Sequence, residues 1–214
     1  MIEVFADVTC PFTHVGLRRL VQRRDDLGST MPIRVKAWPL ELVNGEALAG
    51  SFVAEEVAAL RVDVAPELFS GLDPACFPVT TLPALSLSAL AAARSVQLGE
   101  VVALDLRDAV FERGLDVGNP KVLDAIAATH GLALADADPD VVIAEYEEGK
   151  RLGVVGSPYF IVKEVGYFCP ALDVRRVDGH FQIDADPVAF DAFVAAALGV
   201  SALSASVVEG NERG

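Results

Sequence analysis

Residues 8–20 read VTCPFTHVGLRRL, and the order of residue types in this stretch decides the fold. Ahead of it, MIEVFADV is a β-branched and aromatic run of strand character. Behind it, Phe12, Val15, Gly16, Leu20 and Val21 recur at helical spacing. A proline follows Cys10 directly, and proline is favoured at the first position of a helix, where its missing N–H would have found no partner anyway. Cys10 therefore stands where a helix N-cap stands, at a strand-to-helix junction. Next, IRVKAW sets Ile33, Val35 and Ala37 on one side and Arg34, Lys36 and Trp38 on the other, the alternation of a half-buried strand. In one sheet this β-α-β opening implies parallel strands joined by a right-handed crossover.

From residue 52 to residue 150 the pattern turns helical, through FVAEEVAAL, LSLSALAAARSVQLG, EVVALDLRDAVFERG and two further segments. Asn119-Pro120, Asp138-Pro139 and Asp186-Pro187 share one grammar, a capping side chain followed by proline, while Gly131 and Gly199 fall where helix C-caps are expected. After Gly153 and Gly156, Ser157-Pro158 leads straight into the strand YFIV. YFCPALDVRRV and HFQID then flank Asp178-Gly179, a dipeptide suited to a tight hairpin turn, and PVAFDAFVAAALG closes with a helix. The expected protein is α/β. Residues 1–50 and 151–200 supply a core of β-α-β then β-β-α with a mixed sheet, 51–150 an all-helical insertion, and 201–214 a frayed tail.

Composition narrows the function classes. The 214 residues are 52% hydrophobic, enough to build a substantial core without disulfides. Thirty-one acidic against 17 basic residues give a net charge of -14, which repels nucleic acid and anionic membrane surfaces alike. The amino terminus lacks the basic and apolar regions of a secretory signal, and no window offers about 18 uninterrupted apolar residues. The expected location is cytoplasmic. Cys10, Cys76 and Cys169 are widely spaced, with no C-x-x-C pair and no histidine cluster, which excludes a disulfide framework and a zinc site. There is no phosphate-binding glycine loop and no G-x-S-x-G elbow. The carboxylate pairs Glu55-Glu56 and Glu147-Glu148 read as solvated helix faces.

The chemistry that remains centres on Cys10. At a helix N-terminus, unpaired N–H groups and the positive end of the helix dipole favour a thiolate, lowering a thiol from its free pKa of about 8.5. Thr13, in the same turn, offers a hydroxyl to the anion. His14, four residues on, shares the helical face and as imidazolium would attract the thiolate, although its charge opposes the dipole. Against these stands a simpler role for Cys10 as a small buried hydrophobe. Trp38, followed by Pro39 at the end of the second strand, is a candidate for lining a pocket between core and insertion, or for the core itself.

Cys10-Pro11-Phe12-Thr13 at the first strand-helix junction, Gly153-Val154-Val155-Gly156-Ser157-Pro158 before a later strand, and helices inserted between the two resemble the DsbA-like branch of the thioredoxin fold. That branch includes 2-hydroxychromene-2-carboxylate isomerases and kappa-class glutathione transferases. The resemblance spans residues 2–199 in element order and implies a thioredoxin-like core. It makes Cys10 the reacting thiol of a thiol-disulfide oxidoreductase, assisted by Thr13 and His14. Pro11, Phe12, Trp38, Ser157 and Pro158 would border a thiol or disulfide substrate, Pro158 being cis and opposite Cys10. It implies no permanently bound cofactor, glutathione or another low-molecular-weight thiol as co-reactant, and a homodimer among the assembly states. Dithiol members carry a second cysteine where this chain has Thr13, so an adduct on Cys10 would be released by an external thiol, or by Cys169 or Cys76. Two other readings stay open: a glutathione-dependent isomerase or transferase, whose members commonly carry serine at the position of Cys10, and a binding module without turnover. The redox reading requires the Cys10 sulfur to reach solvent and to lie beside the loop ending at Ser157.

Overall fold

A computed structural model describes residues 1–178 and 180–199; Gly179 of the expected hairpin turn and the expected tail 201–214 lie outside the described residues. The chain opens with β1 (Ile2–Ala6), α1 (Pro11–Asp26) and β2 (Ile33–Ala37). Six helices follow: α2 (Leu40–Asn44), α3 (Gly50–Asp63), α4 (Leu82–Arg94), α5 (Val96–Phe111), α6 (Pro120–Thr129) and α7 (Pro139–Arg151). The chain then returns to strands in β3 (Tyr159–Val162), β4 (Val165–Phe168), β5 (Leu172–Val177) and β6 (His180–Ala185), and ends in α8 (Pro187–Leu198).

The main sheet runs β2-β1-β3-β4, with β1 parallel to β2 and the other pairs antiparallel. This is the mixed α/β core expected from the order of elements, and the thioredoxin-like one that the resemblance implies. Val4 stands opposite Val35 on one side and Phe160 on the other, so the alternating residues of neighbouring strands build one continuous apolar face.

Two expectations change. The strand β2 is not half-buried: Lys36 is enclosed on the second face, paired with Glu3 at 2.7 Å and Glu148 at 2.9 Å. That face is covered by α7, which supplies Glu148 to Lys36 and Tyr146 to Trp38, and on the other side the core runs without a break from Ile2, Val4 and Phe160 into Leu87, Leu106 and Leu123 of the helices. Secondly, the carboxy-terminal strands form two hairpins rather than one. Lys163 and Glu164, both with positive φ (49° and 69°), turn β3 back into β4. The strands β5 and β6 then make a separate two-stranded sheet.

The helix starts follow the expected grammar. Asn119 accepts from Lys121 N–H, Asp138 from Asp140 N–H and Asp186 from Ala189 N–H, at 2.8–3.0 Å, each ahead of a proline. Gly131 and Gly199 take the left-handed backbone at their helix ends, with φ of 66° and 70°.

Candidate active site

Cys10 occupies the N-cap position of α1, but its sulfur does not act as the other caps do. It closes no cap hydrogen bond to the helix; instead the S–H donates across the fold to the Ser157 carbonyl oxygen at 3.1 Å. A sulfur that donates to a carbonyl carries its proton. Only 2% of the residue is exposed, and burial pushes the Cys10 thiol up from its ordinary value, outweighing the opposing influence of Thr13 and Ser157. The depressed pKa expected from the helix dipole is therefore corrected: loss of water costs a thiolate more here than the peptide dipoles return. Of the two conditions of the redox reading, nearness to Ser157 is met and solvent access is not.

Around the sulfur, Thr13 Oγ1 and Ser157 Oγ are 2.9 Å apart, and Ser157 Oγ accepts from Asp7 N–H at 2.9 Å. The Ser157-Pro158 peptide is cis. Pro11 is buried at the first helical position, and Phe12 faces Pro158, Cys169 and Phe160 across a small apolar pocket. Cys10, Thr13, Ser157 and Pro158 thus come together at one point where β1, α1 and β3 meet.

His14 and Trp38 do not join them. The His14 imidazole is fully buried between Phe69 and Phe111, with ring centroids 5.3 and 5.0 Å away, and Nε2–H donates to Glu112 Oε1 at 2.7 Å. Sharing a helix with Cys10 does not aim this ring at the sulfur, because the carboxylate on the next layer captures it. Glu112 also accepts from Phe69 N–H, Ser70 N–H and Ser70 Oγ; against the push of burial, these bonds hold its carboxyl at about 2. Trp38 packs on Phe5, Tyr146 and Val154 in a second apolar cluster under α7.

Residues the sequence did not single out complete the site. Asp7 is wholly buried, and its carboxylate accepts from Thr9 N–H and Oγ1 (2.8 and 2.7 Å), Leu40 N–H (2.7 Å) and Thr81 Oγ1 (3.1 Å). Burial nonetheless pushes the carboxyl up. The buried Arg107 of α5 donates to the Asp7 carbonyl at 3.1 Å; burial lowers its guanidinium to about 10, while Asp7 and Cys10 pull the other way. Glu56 is buried too, unlike its exposed neighbour Glu55, so the reading of that pair as a solvated face holds for Glu55 alone. Position in three dimensions, not local pattern, makes Asp7 and Arg107 part of the site.

The other thiols differ sharply in access. Cys169, φ 43°, is buried with its N–H bonded to the Pro158 carbonyl at 3.1 Å, and burial, then the charge of Cys10, raises its thiol to about 12. Cys76 is exposed. A maleimide added to the native protein is expected to label Cys76 first and Cys10 and Cys169 slowly, read by peptide mass spectrometry; equal rates at all three would contradict this burial. Among the described residues no cluster of His, Cys, Asp or Glu could hold a metal, and no helix is long and apolar enough to cross a membrane.

A family model described as the DSBA-like thioredoxin domain matches residues 1–182. No curated protein matches the chain by sequence. Three solved structures are similar. A 2-hydroxychromene-2-carboxylate isomerase has a TM-score of 0.60 at 13% identity, covering 78% of this chain and 87% of its own. A probable DsbA oxidoreductase from Streptomyces coelicolor has 0.61 at 18%, covering 92% and 89%. The cytosolic disulfide reductase DsbM from Pseudomonas aeruginosa, with GSH, has 0.55 at 15%, covering 78% and 87%. At these identities the likeness is one of fold.

Proposed function

The chain belongs to the DSBA-like thioredoxin domain family, and from that premise we propose that it carries out thiol-disulfide exchange with Cys10 as its single reacting thiol. The observation that carries this reading is the meeting of Cys10 Sγ with the Ser157 carbonyl at 3.1 Å, at the start of α1. Thr13 stands where a dithiol site has its second sulfur, and its hydroxyl is held by Ser157.

Because Cys10 is only 2% exposed, exchange requires the Ser157 loop to move aside and admit the substrate; the Cys10 sulfur then gives up its proton and attacks one sulfur of a disulfide R–S–S–R′. The S–S bond breaks, R′S⁻ leaves and takes up a proton, and Cys10 is left in a mixed disulfide with R. A second, external thiol attacks that adduct, departs as a disulfide with R, and restores the Cys10 thiol. A reducing compartment supplies the external thiol, so we place the protein in the cytoplasm, with glutathione as one suitable co-reactant; DsbM, of similar fold, is described as cytosolic and was solved with GSH.

With 2-hydroxyethyl disulfide, the expected result is a mixed disulfide on the Cys10 peptide that external thiol reverses and Cys10→Ser removes. Adduct on Cys76 alone would sink the reading. One observation favours a second reading: a buried, protonated Cys10 is an S–H donor, the role of residue 10 in a glutathione-dependent isomerase or transferase, where the bound thiol does the attacking. Turnover of an aromatic substrate with glutathione that survives Cys10→Ser would move the assignment there.

A further inference from the structure

Resting on the exchange chemistry assigned to Cys10, we propose that Arg107 is a positioning residue for that thiol: its guanidinium is a full positive charge fixed to the main chain of the Cys10 corner, and it offsets the negative charge the sulfur acquires on giving up its proton. The need for such a charge follows from the site. The sulfur rests as a buried thiol bonded to a carbonyl, the thiolate is the nucleophile, and a carbonyl oxygen that accepts from S–H repels S⁻.

Arg107 belongs to α5, which lies against β2 and α1. It is 1% exposed and binds two neutral groups: Nη1–H donates to the Ala103 carbonyl at 2.7 Å, one turn back, and Nη2–H to the Asp7 carbonyl at 3.1 Å. Its Nε, also buried, has no partner, and among the described residues no carboxylate forms an ion pair with the guanidinium. Lys36, the other buried lysine or arginine among the described residues, meets both Glu3 and Glu148. A buried cation without such a counter-ion is costly to keep, and groups of this kind concentrate where chemistry uses them. Three hydrogen bonds lead from the guanidinium to the sulfur. Nη2–H donates to the Asp7 carbonyl, Asp7 N–H to Ser157 Oγ at 2.9 Å, and Cys10 S–H to the Ser157 carbonyl at 3.1 Å. Every residue from Asp7 to Cys10 is buried, so the charge acts through protein, where water screens it little.

The charged groups facing Arg107 are Asp7 from the β1–α1 connection, Cys10 from the start of α1 and Asp108 beside it in α5. Asp108 is taken by Arg18 of α1, and the Asp7 carboxylate by four neutral donors. Of the other elements against α5, β2 offers Lys36, held by its two glutamates, and α4 offers Arg94, paired with Asp136 at 3.9 Å. On the side of the sulfur, the charge of Glu56 opposes ionisation, Arg176 acts on Glu56, Cys169 is a buried thiol, and His14 is held by Glu112. Among the described residues Arg107 is the cation bonded into the corner itself.

The test is alkylation of Cys10 by iodoacetamide in the full-length chain from about pH 7 to 9, a reaction that reads the thiolate without requiring exchange. Wild type is expected to react faster as pH rises, since burial holds the thiol above its ordinary value and each step in pH adds thiolate. Arg107→Gln keeps an N–H donor for the Asp7 carbonyl and removes the charge; it should slow labelling of the Cys10 peptide at pH 8 by at least about tenfold, the equivalent of one pKa unit. Arg107→Lys keeps the charge and should stay within about threefold of wild type, half a pKa unit. A merely structural Arg107 gives the opposite sign, because loosening the corner admits water and reagent and speeds labelling. Unchanged or faster labelling of Arg107→Gln therefore overturns the proposal, as does an Arg107→Lys slowed as much as Arg107→Gln, or a wild-type rate that does not respond to pH. Should Arg107→Gln not fold, Arg107→Met, uncharged and of similar reach, takes its place with the same expected slowing. Failure of 2-hydroxyethyl disulfide to form an adduct on Cys10 overturns the exchange reading and leaves the alkylation result in force, so the two failures are distinct.

Discussion

Asp7→Ala is expected to cost about 3–5 kcal/mol of folding stability, the range for orphaning several buried polar groups at once. The Asp7 carboxylate satisfies two backbone N–H groups, of Thr9 and Leu40, and two hydroxyls, of Thr9 and Thr81. Those partners belong to the β1–α1 connection, the start of α2 and the start of α4. Alanine leaves two buried N–H groups with nothing to donate to, and a void between segments far apart in sequence. Its main chain also holds Ser157 Oγ and Arg107, so the corner carrying Cys10 should loosen before the rest of the molecule. Denaturant unfolding with an unchanged slope gives the loss directly, and a cost below about 1 kcal/mol would show that Asp7 is not the joint described. Asp7→Asn should fall between, because one amide NH₂ then confronts donors where an oxygen accepted them.

Gly149→Val should destabilise by about 3 kcal/mol or more, through overpacking. A Cβ at this position would lie 2.7 Å from Trp38 Cζ3 and 3.0 Å from Phe5 Cδ1, and neither ring has room to retreat within the cluster it shares with Val154 and Tyr146. To make space α7 must lift from the sheet. That movement would strip Lys36 of Glu148 and the Ala37 N–H of Glu145, which it meets at 2.7 Å. Trp38 is the chain's single tryptophan, so its emission reports the change without ambiguity and should shift to the red as the ring meets water. If Trp38 instead bordered a substrate pocket, as its place at the end of β2 allowed, the substitution would alter exchange while leaving stability nearly intact.

Local signals in the sequence were sufficient where the physics is local. Asn119-Pro120, Asp138-Pro139 and Asp186-Pro187 mark helix starts because a cap and a proline act within one turn, and Cys10-Pro11 marks one through its proline alone. The β3–β4 hairpin was not legible because its turn is Lys163-Glu164, two long charged residues in a left-handed conformation that Asn or Gly more often takes; Tyr167 and Phe168 therefore read as the start of the longer run YFCPALDVRRV. The site was legible only in part. Cys10, Thr13 and Ser157 announce themselves through the two proline-bearing motifs, and they do meet. The state of the sulfur depends on how far the surrounding layers exclude water, a property of packing that no short window carries. For the same reason Glu55 and Glu56, adjacent and identical in sequence, end in opposite environments.

The Thr13–Ser157 bond bears on how such a site could be re-engineered or could drift. Placing a cysteine at position 13 to rebuild a two-sulfur centre would exchange a 2.9 Å hydroxyl pair for a longer and weaker thiol contact, and Ser157 Oγ, which also anchors Asp7, would lose half its support. The neighbours of Thr13 are fitted to oxygen. Dithiol chemistry at this point would therefore call for coordinated change in both α1 and the Ser157 loop, and a single substitution falls short of it.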